Sequence, residues 1–208
     1  MQSGARNAAV LASIAFWLVL APGVAAVQPL TQPERDALLK HLEQTRQAFL
    51  DSIGGLSDAQ WTFKAGPDRW SIAEVAEHIA ISETTILRIV TDQILKGPAV
   101  PRDPNPVSDE RLLAWLADRS SKFQAPEMLR PTNRWATRDA LTRDFIAARE
   151  KTIAFVRTTT DDLHGHAAPH PVFKMLDAYQ WTLLLSGHSA RHTAQILEVK
   201  ESPGYPRR

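Results

Sequence analysis

The chain contains no cysteine. That absence excludes a disulfide framework, a thiolate metal site and a cysteine nucleophile, and it removes the lipidated cysteine that a bacterial lipoprotein anchor needs. A surplus of one charge is missing too. The 24 Lys and Arg nearly match the 23 Asp and Glu, and no basic block stands out, so neither nucleic acid nor an anionic membrane surface is expected as a partner. There is no long Val/Ile/Thr alternation of the kind a sheet needs, no internal repeat and no low-complexity segment. The longest apolar run, AAVLASIAFWLVLA from Ala8 to Ala21, spans 14 residues and falls short of the ~20 that cross a bilayer.

That run belongs to a segment unlike the rest. Arg6 is its only charge, and Pro22-Gly23 and the small residues Val24, Ala25 and Ala26 follow the apolar stretch. A charged start, an apolar middle and a small-residue cleavage site read as a secretory signal peptide over residues 1–26. Cleavage leaves one domain, residues 27–208, with no stable membrane anchor, exported to a periplasm or secreted. With Arg6 removed, 23 basic residues face 23 acidic ones.

What is present is helix-forming: Ala, Leu, Gln, Glu and Arg dominate. Thr31 with Glu34 fits a capping box ahead of a helix from about Pro33 to Ile53, where Leu38, Leu39, Leu42, Phe49, Leu50 and Ile53 share one face. Gly54-Gly55 ends it. A short turn opened by Ser57 and Gln60 leads into WTFKAGPDRW, whose Trp61 and Trp70 read as a lid over one end of the molecule. Ser71 with Glu74 opens a second helix to about Leu95. The four prolines between Gly97 and Val107 mark a surface crossing. Ser108 caps a shorter helix, roughly Asp109 to Phe123. Thr137 caps a long third helix to about Val156. A loop from Thr158 to Phe173 carries three histidines, and the last helix runs from about Lys174 to Lys200. Four long amphipathic segments without strand signals predict an all-α four-helix bundle with an additional short helix between the second and third.

On the last helix, His188-Ser-Ala-Arg-His192 places two imidazoles one turn apart, on a stripe with Trp181, Leu184, Gln195 and Val199. Buried imidazoles are costly to charge and need partners for their nitrogens; one divalent ion would serve both. The spacing alone also suits structural or surface histidines. It is not the zinc-protease motif, because Ser189 stands where that motif has its glutamate. His78, at the edge of the inward stripe of the second helix, reads alone as a satisfied core histidine. Together the three would form a site with one open position. Glu74 and Gln195 are candidates for outer hydrogen-bond partners. His164, His166 and His170, in HGHAAPH, read either as a metal-binding tract or as a solvated loop, with His170 extended before Pro171.

WSIAEVAEHIA, from Trp70 to Ala80, followed about a hundred residues later by HPVFKMLDAYQWTLLLSGHSARHTAQI, from His170 to Ile196, resembles the DinB-like (DinB/YfiT-like) metalloenzyme family over roughly Leu30 to Val199. The resemblance implies a four-helix bundle with one histidine on its second helix and an HxxxH pair on its fourth. It therefore implies one divalent metal ion on His78, His188 and His192. Lys174 departs from it, standing where relatives often have a small residue. Three imidazoles suit zinc, nickel or iron, and copper nearly as well. The expected function is a metal-dependent hydrolase acting on a small molecule through the ion and its water. A non-catalytic metal-stabilised binding module is the alternative. A thiol-dependent transferase or isomerase is a further one, which export disfavours. A homodimer is a candidate assembly.

Overall fold

The computed structural model describes residues 28–207 except 102 and 104. The segment read as a signal peptide, residues 1–26, lies outside the described residues. Six α-helices and one hairpin follow in order: α1 (Gln32–Ile53), α2 (Asp58–Thr62), α3 (Ile72–Arg88), α4 (Asp109–Ala117), α5 (Arg138–Thr158), β1 (Ala167–His170), β2 (Lys174–Asp177) and α6 (Ala178–Lys200). Past Arg88, α3 continues as a π-helix over Ile89–Ile94, and a 3₁₀ turn spans Glu127–Leu129.

The predicted caps form. Thr31 with Glu34, Ser57 with Gln60 and Ser71 with Glu74 all close as reciprocal boxes, each satisfying amides that the first helical turn leaves free. Ser108 and Thr137 cap α4 and α5.

Four long helices make the bundle. α1 packs on α6 and α5, and α3 packs on the same two. Around the ring the order is therefore α1, α6, α3, α5, so α1 and α3 lie diagonally, as do α5 and α6. α4 lies against α6 from outside. Leu38, Leu42, Ile86, Ile153, Val156 and Leu183 belong to one buried apolar cluster, and Phe49, Ile72, Val75, Ile79, Phe145 and Ile196 to another. Each fully buried Leu, Ile or Phe contributes about 1.5–3 kcal/mol.

Two expectations are corrected. The region from 158 to 177 is not loop leading straight into helix. Ala167 to His170 pairs antiparallel with Lys174 to Asp177, so the last helix starts at Ala178, where Asp177 and Gln180 close a fourth capping box. Lys174 ends the hairpin turn at φ 63°, while the His170 ring accepts the amides of Val172 and Phe173. A four-residue pairing is too short to show as alternation. The short helix also stops at Ala117 rather than Phe123. There the Asp118 carboxylate takes the Ser120 amide, and the Arg191 guanidinium collects the carbonyls of Leu116, Asp118 and Ser121, bending the chain away.

Candidate metal centre

α3 and α6 are neighbours, and each presents histidine at their contact. His78 sits in the second turn of α3 and is 2% exposed. His188 and His192, one turn apart on α6, keep partial exposure. The His78 and His188 Nε2 atoms are 3.1 Å apart. The ring centroids of His192 lie 4.4 Å from both other rings. One nitrogen from each of the three falls within 4.8 Å of the others, and among the described residues this is the group of three such side chains that could hold a metal ion.

The far nitrogens explain why the near ones converge. His78 Nδ1 donates to the Leu129 carbonyl at 2.8 Å; a carbonyl only accepts, so the ring's lone pair is left on Nε2. His192 Nδ1 meets Gln195 Oε1 at 2.8 Å, with the same consequence. Burial pushes all three rings below the ordinary histidine pKa. For His78 the Leu129 bond opposes the drop. His192, repelled also by His78, is pulled down to about 3. His188 is held well below its usual value by burial and then by the other two rings and Arg191.

Neutral imidazoles whose ring nitrogens converge, two of them with the lone pair turned inward, fit a divalent cation. Tetrahedral bonds of about 2.05 Å set nitrogens about 3.3 Å apart, and the 3.1 Å separation here is close to that. Trp70, read as part of a lid, packs its ring 5.1 Å from His78.

A match to the DinB superfamily runs over residues 41–196. The chain belongs to the DinB superfamily. Among its relatives, the uncharacterized protein YuaE of Bacillus subtilis (strain 168) is 27% identical over 158 residues, covering 76% of this chain and 94% of YuaE. Among solved structures, YfiT from Bacillus subtilis, described as a probable metal-dependent hydrolase with an unusual four-helix bundle topology, superposes with a TM-score of 0.57 at 18% identity. It covers 89% of this chain and 94% of YfiT, a likeness of fold. TT2238, a four-helix bundle protein, aligns at TM-score 0.46 and 22% identity over 79% of this chain and 98% of its own.

Other expected residues of this DinB-superfamily chain fall differently. Gln195 is the partner of His192, as expected. Glu74 is not the partner of His78: its carboxylate closes the Ser71 cap and binds Lys64. The HGHAAPH histidines do not assemble. His164 bonds Asp177 at the α6 cap and approaches Glu34 at the α1 cap, while His170 packs against Trp115, Phe173 and Trp181.

Two features escaped the sequence reading. One is the Leu129 carbonyl, a backbone atom about fifty residues from His78 in the chain, for which no side-chain pattern exists. The other is a buried polar layer of Glu83, Arg149, Thr45 and Ser189. Its signal was available: Arg149 falls between Phe145 and Ile153 at helical spacing, and Glu83 falls between Ile79 and Ile86. A charge on an apolar stripe requires a buried partner.

Proposed function

We propose that this protein is a metal-dependent enzyme, hydrolytic in its chemistry, whose ion is held by His78, His188 and His192. The observation carrying this reading is the convergence of three neutral imidazoles, two of them with their outer N–H already committed. YfiT, described as a probable metal-dependent hydrolase, shares the fold and so is consistent with it. A divalent ion bound there supplies Lewis acidity and brings a water's pKa towards ~7.

The chain's own residues do the rest. Leu129 and Gln195 keep the His78 and His192 rings from rotating, which preserves the geometry between turnovers. His78 is buried and packs against Trp70, so access is from the partly exposed His188 and His192. That exposure favours an enzyme over a purely structural staple, in which the coordination sphere would be closed. We further propose that the substrate is a small molecule and that the chain is exported through residues 1–26. Among the described residues no helix is long and apolar enough to cross a membrane.

The test is metal analysis of the purified protein beside His78→Ala and His188→Ala, with hydrolysis of a panel of chromogenic esters and amides. About one divalent ion per chain, a large loss in each variant and metal-dependent turnover are expected. Full occupancy in both variants would sink the site. Chelation that melts the bundle, with no turnover in the metal-loaded parent, would favour the staple.

A further inference from the structure

Glu77 precedes His78 on α3 and is 4% exposed. It faces no cation. Its two oxygens instead accept three consecutive backbone amides: Thr132 at 2.7 Å, Asn133 at 2.9 Å and Arg134 at 3.2 Å. Asn133 has φ 60°, the left-handed conformation that turns successive N–H groups towards one point and forms an anion-binding concavity. The segment joining α4 to α5 is thus wrapped around a side chain of α3.

The same segment touches His78. Its 3₁₀ turn ends at Leu129, whose carbonyl receives His78 Nδ1–H at 2.8 Å. Between the two contacts the chain is braced. The Arg130 amide returns to Glu127, its guanidinium to the Ala125 carbonyl, and the Arg134 guanidinium to the Met128 carbonyl. Pro131 removes one further freedom. Beyond the clamp, the Trp135 indole N–H donates to Asp144 on α5 at 2.6 Å. His192 takes its orienting partner from its own helix, three residues on. His78 has no such partner on α3 and depends on a loop, and the loop depends on Glu77.

We propose that Glu77 is a positioning residue for the metal centre. By clamping amides 132–134 it holds the Leu129 carbonyl where it fixes His78 as the Nδ1–H tautomer and aims Nε2 at the ion. The tautomer lock is a property of the metal-free chain; its functional meaning rests on the metal reading above. Outer partners of metal-bound histidines are worth about 10–100-fold in affinity, and that is the size of loss expected here.

Three variants test it, with two readouts on the full-length protein. Glu77→Ala removes the clamp from the helix side. Asn133→Val removes it from the exposed loop side, since a β-branched residue is strained at positive φ, and it leaves the core untouched. Asn133→Gly keeps the left-handed turn and serves as the conservative control. The first readout is long-range ¹H–¹⁵N NMR of His78 without metal. A fixed Nδ1–H tautomer is expected in the parent and Asn133→Gly, and an averaged ring in the other two. The second is zinc affinity by competition with a chromophoric chelator, falling about 10–100-fold in Glu77→Ala and Asn133→Val alone.

If Glu77→Ala fails to fold, Asn133→Val decides. An unchanged tautomer and zinc affinity in Asn133→Val, with amides 132–134 exposed to hydrogen exchange, would overturn the proposal. A parent that binds none of zinc, nickel, iron and copper while its tautomer still depends on Glu77 would overturn the metal reading and leave Glu77 as the residue that orients His78.

Discussion

The guanidinium of Arg149 on α5 meets the carboxylate of Glu83 on α3 through two hydrogen bonds, one of 2.8 Å, and both side chains are shut from solvent. Arg149 also donates to the Leu42 carbonyl and to Thr45 on α1, and to Ser189 on α6. Ser189 Oγ in turn donates to Glu83 at 2.6 Å. One ion pair thus ties all four long helices together where the two apolar clusters meet, beside the histidine that precedes Ser189.

Removing one partner leaves the other charge buried and uncompensated. Glu83→Gln and Arg149→Met are each expected to lower stability by about 3–5 kcal/mol, read from urea unfolding of the metal-free protein. Replacing both with apolar residues of similar volume should recover much of that loss. A cost below about 1 kcal/mol for either single change would show that the surviving partner is not left uncompensated and that the pair does not brace the bundle.

Acid should unfold the metal-free protein through its histidines. The folded pKa of His192 is about 3, against 6.5 for the free side chain, and those of His78 and His188 are also depressed. Below 6.5 the unfolded chain binds protons that the folded chain refuses, so stability is complete above that pH and declines as pH falls towards 3. Unfolding midpoints measured from pH 8 to pH 4 should trace this decline. His192→Ala should flatten the curve, and an equally steep curve in that variant would refute the assignment.

The hairpin holds a strained residue. Lys174 adopts φ 63° at the end of the turn, where a side chain costs about 1–2 kcal/mol and glycine does not. Lys174→Gly is expected to raise stability by about 1 kcal/mol after the added freedom of the unfolded chain is counted. A calorimetric melt that shifts downward would show that Lys174 makes a contact outweighing the strain.

Helices and their starts were legible because both signals are local. Ser71 three residues before Glu74, or apolar residues recurring at 3.6, act within one or two turns and need no distant partner. The pairing of His188 with His192 was legible for the same reason. The hairpin was not, since a four-residue pairing is too short to show alternation, and Lys174 disguised a left-handed position that glycine would have announced. The family resemblance joined His78 to the later pair; residue spacing alone left it a core histidine.

Amphipathic periodicity and capping chemistry, both written in neighbouring residues, determined a bundle of four long helices with imidazoles on inward faces. Tertiary structure alone decided that α3 lies beside α6 and diagonal to α1, because that choice turns on how whole faces fit. It alone also decided which backbone carbonyl orients His78 and which charge answers Arg149. Such partners lie tens of residues away, and no local pattern encodes contacts made only when the helices close.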